Sequence, residues 1–202
     1  MKIFEIIDSF EPKTRWYLRA PRKFGGMEVH NWRSEAEPGR EEVEGWHFTS
    51  GKKYEAAAPL VIPIYQGTVE LDFTLGSMGM PVVKPHPAKR LKELCGDSVQ
   101  WIPAVVPGIA ERFEIANVLT LVDALDVDRS EVQWWTEKDN WPEKIGTIAG
   151  VARLVLRKDA LVGVTMFRLN GWEPPLLISE TIKNALQELR VSGVTFQEIQ
   201  VV

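Results

Sequence analysis

The sequence predicts an α+β protein, with a largely antiparallel sheet and few helices. Three observations carry that expectation. Runs rich in β-branched and aromatic residues recur along the chain, as in VQWIPAVV, ERFEIANVLTLV and VTFQEIQV. Only two segments have the apolar spacing of a helix. They do not alternate with strands as a doubly wound parallel fold would require.

The chain opens on a strand, KIFEII, followed by TRWYLRA. From about Pro21 to Gly45, glycine, proline and glutamate break every apolar period, which predicts a loop-rich and partly mobile segment. PLVIPIYQGTVELDF predicts a hairpin turning at Tyr65-Gln66-Gly67-Thr68. MGMPVVKPHPAKRLKELCG is the seam of the chain. Three prolines precede a short helix with Leu91, Leu94 and Cys95 on one face, and Gly96 stands at the C-cap position. The seam divides an N-terminal β-rich subdomain, 1–84, from a C-terminal α+β subdomain, 85–202.

Beyond it, VQWIPAVV, ERFEIANVLTLV, VARLVLRK and LVGVTMFRL predict strands. SETIKNALQELRVSG is the clearest helix. Ile182, Ala185, Leu186 and Leu189 share one face, Ser179 is placed to cap the start, and Gly193 to end it. VTFQEIQV closes the chain.

A length of 202 residues with 45% apolar composition is ample for a core. Cys95 is the only cysteine, so no internal disulfide or multi-cysteine metal cage can form. Glu5 and Asp8 interrupt the first apolar residues, unlike a signal peptide. AAAPLVIPIYQGTV, with two prolines, is too short to span a bilayer. The expectation is a soluble, cytoplasmic protein. Charge is uneven: residues 1–96 carry 14 Lys+Arg against 13 Asp+Glu, and residues 97–202 carry 10 against 15. An acidic C-terminal half argues against nucleic acid and suits a basic protein partner.

The sharpest local feature is NVLTLVDALDVDRSEVQWWTEKDNWPE, residues 117–143. Counted as a calcium loop from Asp126, it places Asp128, Ser130 and Glu137 at ligand positions. Glu131 then falls where the loop's turn needs glycine. His30, His47 and His86 lack zinc-ligand spacing. There is no G-x-S-x-G, no phosphate-binding glycine loop, and Cys95 lies on an apolar helix face. Asp123 and Asp126 could pair as carboxylates, with His86 as a base, but nothing else completes such a site. No cofactor or metal is implied.

An interaction surface remains. Residues 123–143 hold seven acidic groups against Arg129 and Lys138, with three of the eight tryptophans. In an extended Trp134-Trp135 pair, one ring faces inward and the other outward. An outward tryptophan beside carboxylates has the composition of a binding hot spot.

Several strings together resemble a family: VELDFT, VVKPHP, FEIANVLTLVDALDVDRSE, LVGVTMFR and LLISETIKNALQELRVSGVTFQEI. In order and spacing they are similar to immunity family eleven of the bacterial polymorphic-toxin immunity proteins, from about Leu60 to the C-terminus. The resemblance implies a cytoplasmic antidote that neutralises a cognate toxin, encoded by a neighbouring gene, by non-catalytic occlusion. It supplies no binding residues; Arg168 and the helix caps look like framework. The residues themselves nominate Asp126, Asp128, Glu131, Trp135, Glu137, Asp139 and Trp141 as part of the interface, with segment 21–45 as a second candidate. The competing readings are a hydrolytic or transfer enzyme using Asp123/Asp126 with His86, and a small-ligand or adaptor module.

Overall fold

The computed structural model describes residues 1–22, 43, 45–56 and 58–202. Its first strands are β1 (Ile3–Asp8), β2 (Tyr17–Leu18), β3 (Leu60–Val61), β4 (Ile64–Gln66), β5 (Phe73–Leu75) and β6 (Pro81–Val83). Helix α1 (Pro85–Cys95) leads to β7 (Val99–Val105), β8 (Arg112–Val118), β9 (Leu121–Val122), β10 (Val132–Trp134) and β11 (Ile148–Val151). Then come β12 (Val155–Leu156), β13 (Met166–Leu169), β14 (Trp172–Ser179), α2 (Glu180–Glu188) and β15 (Val194–Val201). The α+β expectation holds.

Two sheets dominate: six strands in the order β12-β15-β1-β14-β13-β9, and five in the order β3-β7-β8-β6-β5. Both draw strands from each side of residue 84. The N-terminal β1 lies between β14 and β15, antiparallel to both, with Ile3 opposite Ser179 and Ile199.

Alternation along β1 sorts the interior. Phe4 and Ile6 point to a core shared with Leu176, Ile178, both helices and the near face of the five-stranded sheet. Ile3 points the other way, to Leu177, Ile199, Ala124 and Leu161. A third core, with Trp16, Phe48, Ile62 and Phe113, covers the far face of the five-stranded sheet. Asp123–Leu125 thus packs on one face of the six-stranded sheet and α1 on the other.

α1 ends as its glycine predicts: the Gly96 N–H donates to the Lys92 carbonyl. Cys95 is buried on its inner face, and burial pushes the thiol up to about 11, so it stays protonated at neutral pH. α2 buries Ile182, Ala185 and Leu186 as the spacing requires. Two details differ. Ser179 holds the N-cap position, but its Oγ makes no capping bond. The helix closes before Gly193, with Arg190 left-handed at φ 53°. Gly193 serves another purpose: a Cβ there would lie 2.0 Å from the Phe73 carbonyl oxygen.

The expected hairpin at 65–68 does not form. β4 pairs with β2 instead, Tyr17 opposite Gln66, and β3 runs parallel to β7. Gly67 looked like a hairpin glycine, but a Cβ on it would fall 1.8 Å from the Arg15 carbonyl oxygen. It is there for close backbone approach. The run ERFEIANVLTLV is also two strands: β8 ends at Val118, and β9 crosses to the six-stranded sheet beside β13. Segment 21–45, apart from Pro21, Arg22, Val43 and Gly45, lies outside the described residues, as does His30.

Arg168 on β13 ties the layers together. It is fully buried, and its guanidinium donates to the Glu173, Pro174 and Gly79 carbonyls at 2.8, 2.9 and 2.6 Å. Desolvation lowers it to about 10, so it remains cationic at neutral pH. Among the described residues, no helix is long and apolar enough to cross a membrane.

Candidate partner-binding site

The acidic run leads into a two-stranded arm. Among the described residues β10 and β11 pair only with each other, Val132 opposite Val151, and Trp134 opposite Ile148 after a bulge. Backbone bonds extend the pairing at both ends: Ala152 N–H to the Glu131 carbonyl, and Trp135 N–H to the Thr147 carbonyl. From Glu131 to Leu154 no residue is buried. A ribbon this short, with so little core contact, needs local bonds to hold its shape.

Its tip supplies them. The Asp139 carboxylate accepts from the Thr136 N–H at 2.7 Å and the Thr136 hydroxyl at 2.8 Å. Those bonds hold the Asp139 carboxyl below the usual carboxylate range. Asn140, left-handed at φ 56°, turns the chain into Trp141 and Pro142. The Thr147 hydroxyl donates to the Lys144 carbonyl at 2.6 Å on the return. Trp135 and Trp141 then meet with ring centroids 6.4 Å apart, and the Lys144 ammonium lies over both.

The seven carboxylates of 123–143 fare unequally. Asp123 Oδ1 accepts from Asn170, and its carbonyl accepts from Arg157. Asp126 is only 5% exposed. Its carboxylate accepts from the Arg129 guanidinium at 2.7 Å and the Arg129 N–H at 3.1 Å, which together hold it below the usual range. Glu131 pairs with Arg153 at 3.2 Å, and Asp139 is committed to Thr136. Asp128, Glu137 and Glu143 are exposed, and no ion-pair partner faces them among the described residues.

Of the nominated residues, the structure therefore brings Trp135, Glu137, Asp139 and Trp141 together at the arm's tip. Glu131 sits at its base, and Asp128 in the loop before it. Asp126 acts within its own turn and is not presented for contact.

Trp134 and Ile145, 44% and 46% exposed, are surface hydrophobics of the arm that sequence reasoning did not nominate. The alternation of the Trp134-Trp135 pair was the available signal. It is Trp134 that faces outward, while Trp135 turns to the arm's own Trp141 and Lys144.

The pairing of His86 with Asp123/Asp126 is not realised. α1, which carries His86, and the 123–126 loop pack on opposite faces of the six-stranded sheet. Among the described residues, no group of three or more His, Cys, Asp or Glu is placed to hold a metal ion.

The arm falls within a recognisable segment. Residues 110–201 match the Immunity protein family (Imm11). The Imm11 match spans β8 to β14, the arm, α2 and β15 up to Val201, and begins at residue 110 rather than near Leu60. The resemblance to immunity family eleven is borne out over that span. No curated protein matches the chain.

Proposed function

We propose that this protein is an immunity protein that binds a cognate toxin and neutralises it without catalysis, by occluding a functional surface. The arm of residues 131–154 carries the reading. It lies inside the Imm11-matching segment, buries none of its residues, and presents Trp134, Trp141 and Ile145 to solvent. Exposed aromatics ringed by charge are the residues from which interface hot spots are built. Asp128, Glu137 and Glu143 give the rim a negative sign, which suits a basic partner surface.

The protein acts in the bacterial cytoplasm, where its single cysteine stays reduced and buried. The toxin is encoded beside it. Co-expression tests this reading: the neighbouring gene's product should co-purify with the protein and lose its toxicity. A product that stays toxic and unbound would refute it.

A further inference from the structure

We propose that a cleft floored by Glu5 is the receptor for a lysine or arginine side chain of the bound partner protein. This rests on the immunity reading for the identity of the partner, though not for the chemistry of the cleft.

The site follows from strand alternation. Glu5 projects from β1 on the same face as Ile3, opposite Leu177 and Gln197 on the neighbouring strands. That face is apolar core elsewhere, built from Ile3, Leu177 and Ile199. Over Glu5 it opens into a cleft of about 340 Å³, whose wall is the chain from Val151 to Leu154. That wall is the returning leg of the arm, so a partner gripping the arm stands at the cleft's mouth.

Glu5 is half-buried, and its carboxylate has neither a hydrogen bond nor an ion pair among the described residues. The nearby cations are spent. Arg153, in the same cleft, is held by Glu131 at 3.2 Å and the Arg129 carbonyl at 2.9 Å. Lys2 is paired with Glu198 at 3.1 Å. Burial alone pushes the Glu5 carboxyl above its ordinary value.

A desolvated carboxylate without a partner is costly to the free protein. An ammonium or guanidinium entering the cleft would make a charge-assisted bond there, stronger than one on open surface. The volume is at the low end for ligand pockets and suits one long side chain.

The cleft can be tested without the partner. NMR titration of the full chain uses N-acetyl-lysine methylamide and N-acetyl-arginine methylamide, with N-acetyl-norleucine methylamide as the uncharged control. The cations should give saturable shifts at Glu5, Gln197 and Leu154 and lower the pH at which Glu5 titrates. The norleucine compound should not, and Glu5→Gln should abolish the effect. Equal shifts from norleucine, no shifts at all, or persistence in Glu5→Gln would overturn the proposal.

With the toxin, Glu5→Gln should weaken binding about tenfold, whereas Glu198→Gln, which frees only Lys2, should not. Toxin binding indifferent to Glu5→Gln would overturn the cleft's assigned occupant. A wild-type protein that binds no toxin would refute the immunity reading, and the titration would still judge the cleft.

Discussion

The ammonium of Lys144 lies 4.3 Å from the ring centroid of Trp141 and 5.0 Å from that of Trp135. The contact joins the two legs of an arm that buries none of its residues and meets the cores only at its base, through Leu154. It pre-forms an aromatic surface, so less ordering is left to do when a partner arrives.

Trp141→Ala should therefore cost binding and little else. Calorimetric titration with the toxin should show a loss on the order of 30-fold, the scale of about 2 kcal/mol for a hot-spot aromatic. The urea midpoint should shift by no more than about 0.5 kcal/mol equivalent, since the ring is half exposed and off the cores. Lys144→Met should have a smaller effect on affinity, about 0.5–1 kcal/mol for an exposed cation–π contact.

Asp126→Asn should lower the melting temperature at pH 7, because the carboxylate orders the 126–130 turn through Arg129. Its folded pKa lies below the unfolded one, so its contribution is complete above the unfolded value and fades as pH falls through the folded value. The gap between wild type and variant should close on acidification. Asp128→Asn, at an exposed carboxylate with no ion-pair partner among the described residues, should leave the melting temperature at pH 7 nearly unchanged.

Glu5 has the opposite sign. Its folded pKa is raised, so the native state holds the proton more tightly than the unfolded chain. Stability is fully present below the unfolded pKa and declines as pH rises through the folded pKa. Glu5→Gln should melt at a higher temperature than wild type at pH 8, with the difference vanishing in acid. A lower melting temperature at pH 8 would mean that Glu5 has a stabilising partner.

Arg168→Met should leave the Glu173, Pro174 and Gly79 carbonyls without their donor and remove the tie between β13, β14 and Gly79. Urea denaturation should register a loss of about 3 kcal/mol, roughly one for each orphaned acceptor.

What was legible in the sequence was local. The α2 periodicity places Ile182, Ala185 and Leu186 inward with no need of tertiary knowledge, and the Gly96 stop of α1 is equally self-contained. The hairpin at 65–68 failed because strand pairing is non-local. β4 finds Tyr17 in β2, far back in the chain, and Gly67 answers to the Arg15 backbone.

The candidate site divided in the same way. The density of carboxylates and tryptophans in 123–143 was visible. Which carboxylates are spent depends on Arg129, Arg153 and Thr136, and residue types alone do not reveal that. Nor did anything in the sequence mark Glu5, whose isolation arises only once β15 and the arm's return leg close around it.

The most direct test of the arm as the docking surface is calorimetric titration of the toxin with the Trp134→Ala/Trp141→Ala double variant beside wild type. Both should melt within a few degrees of each other, since neither ring enters a core. The account predicts tight binding by wild type and a loss of at least about 100-fold in the variant. A folded variant that binds as tightly as wild type would contradict it.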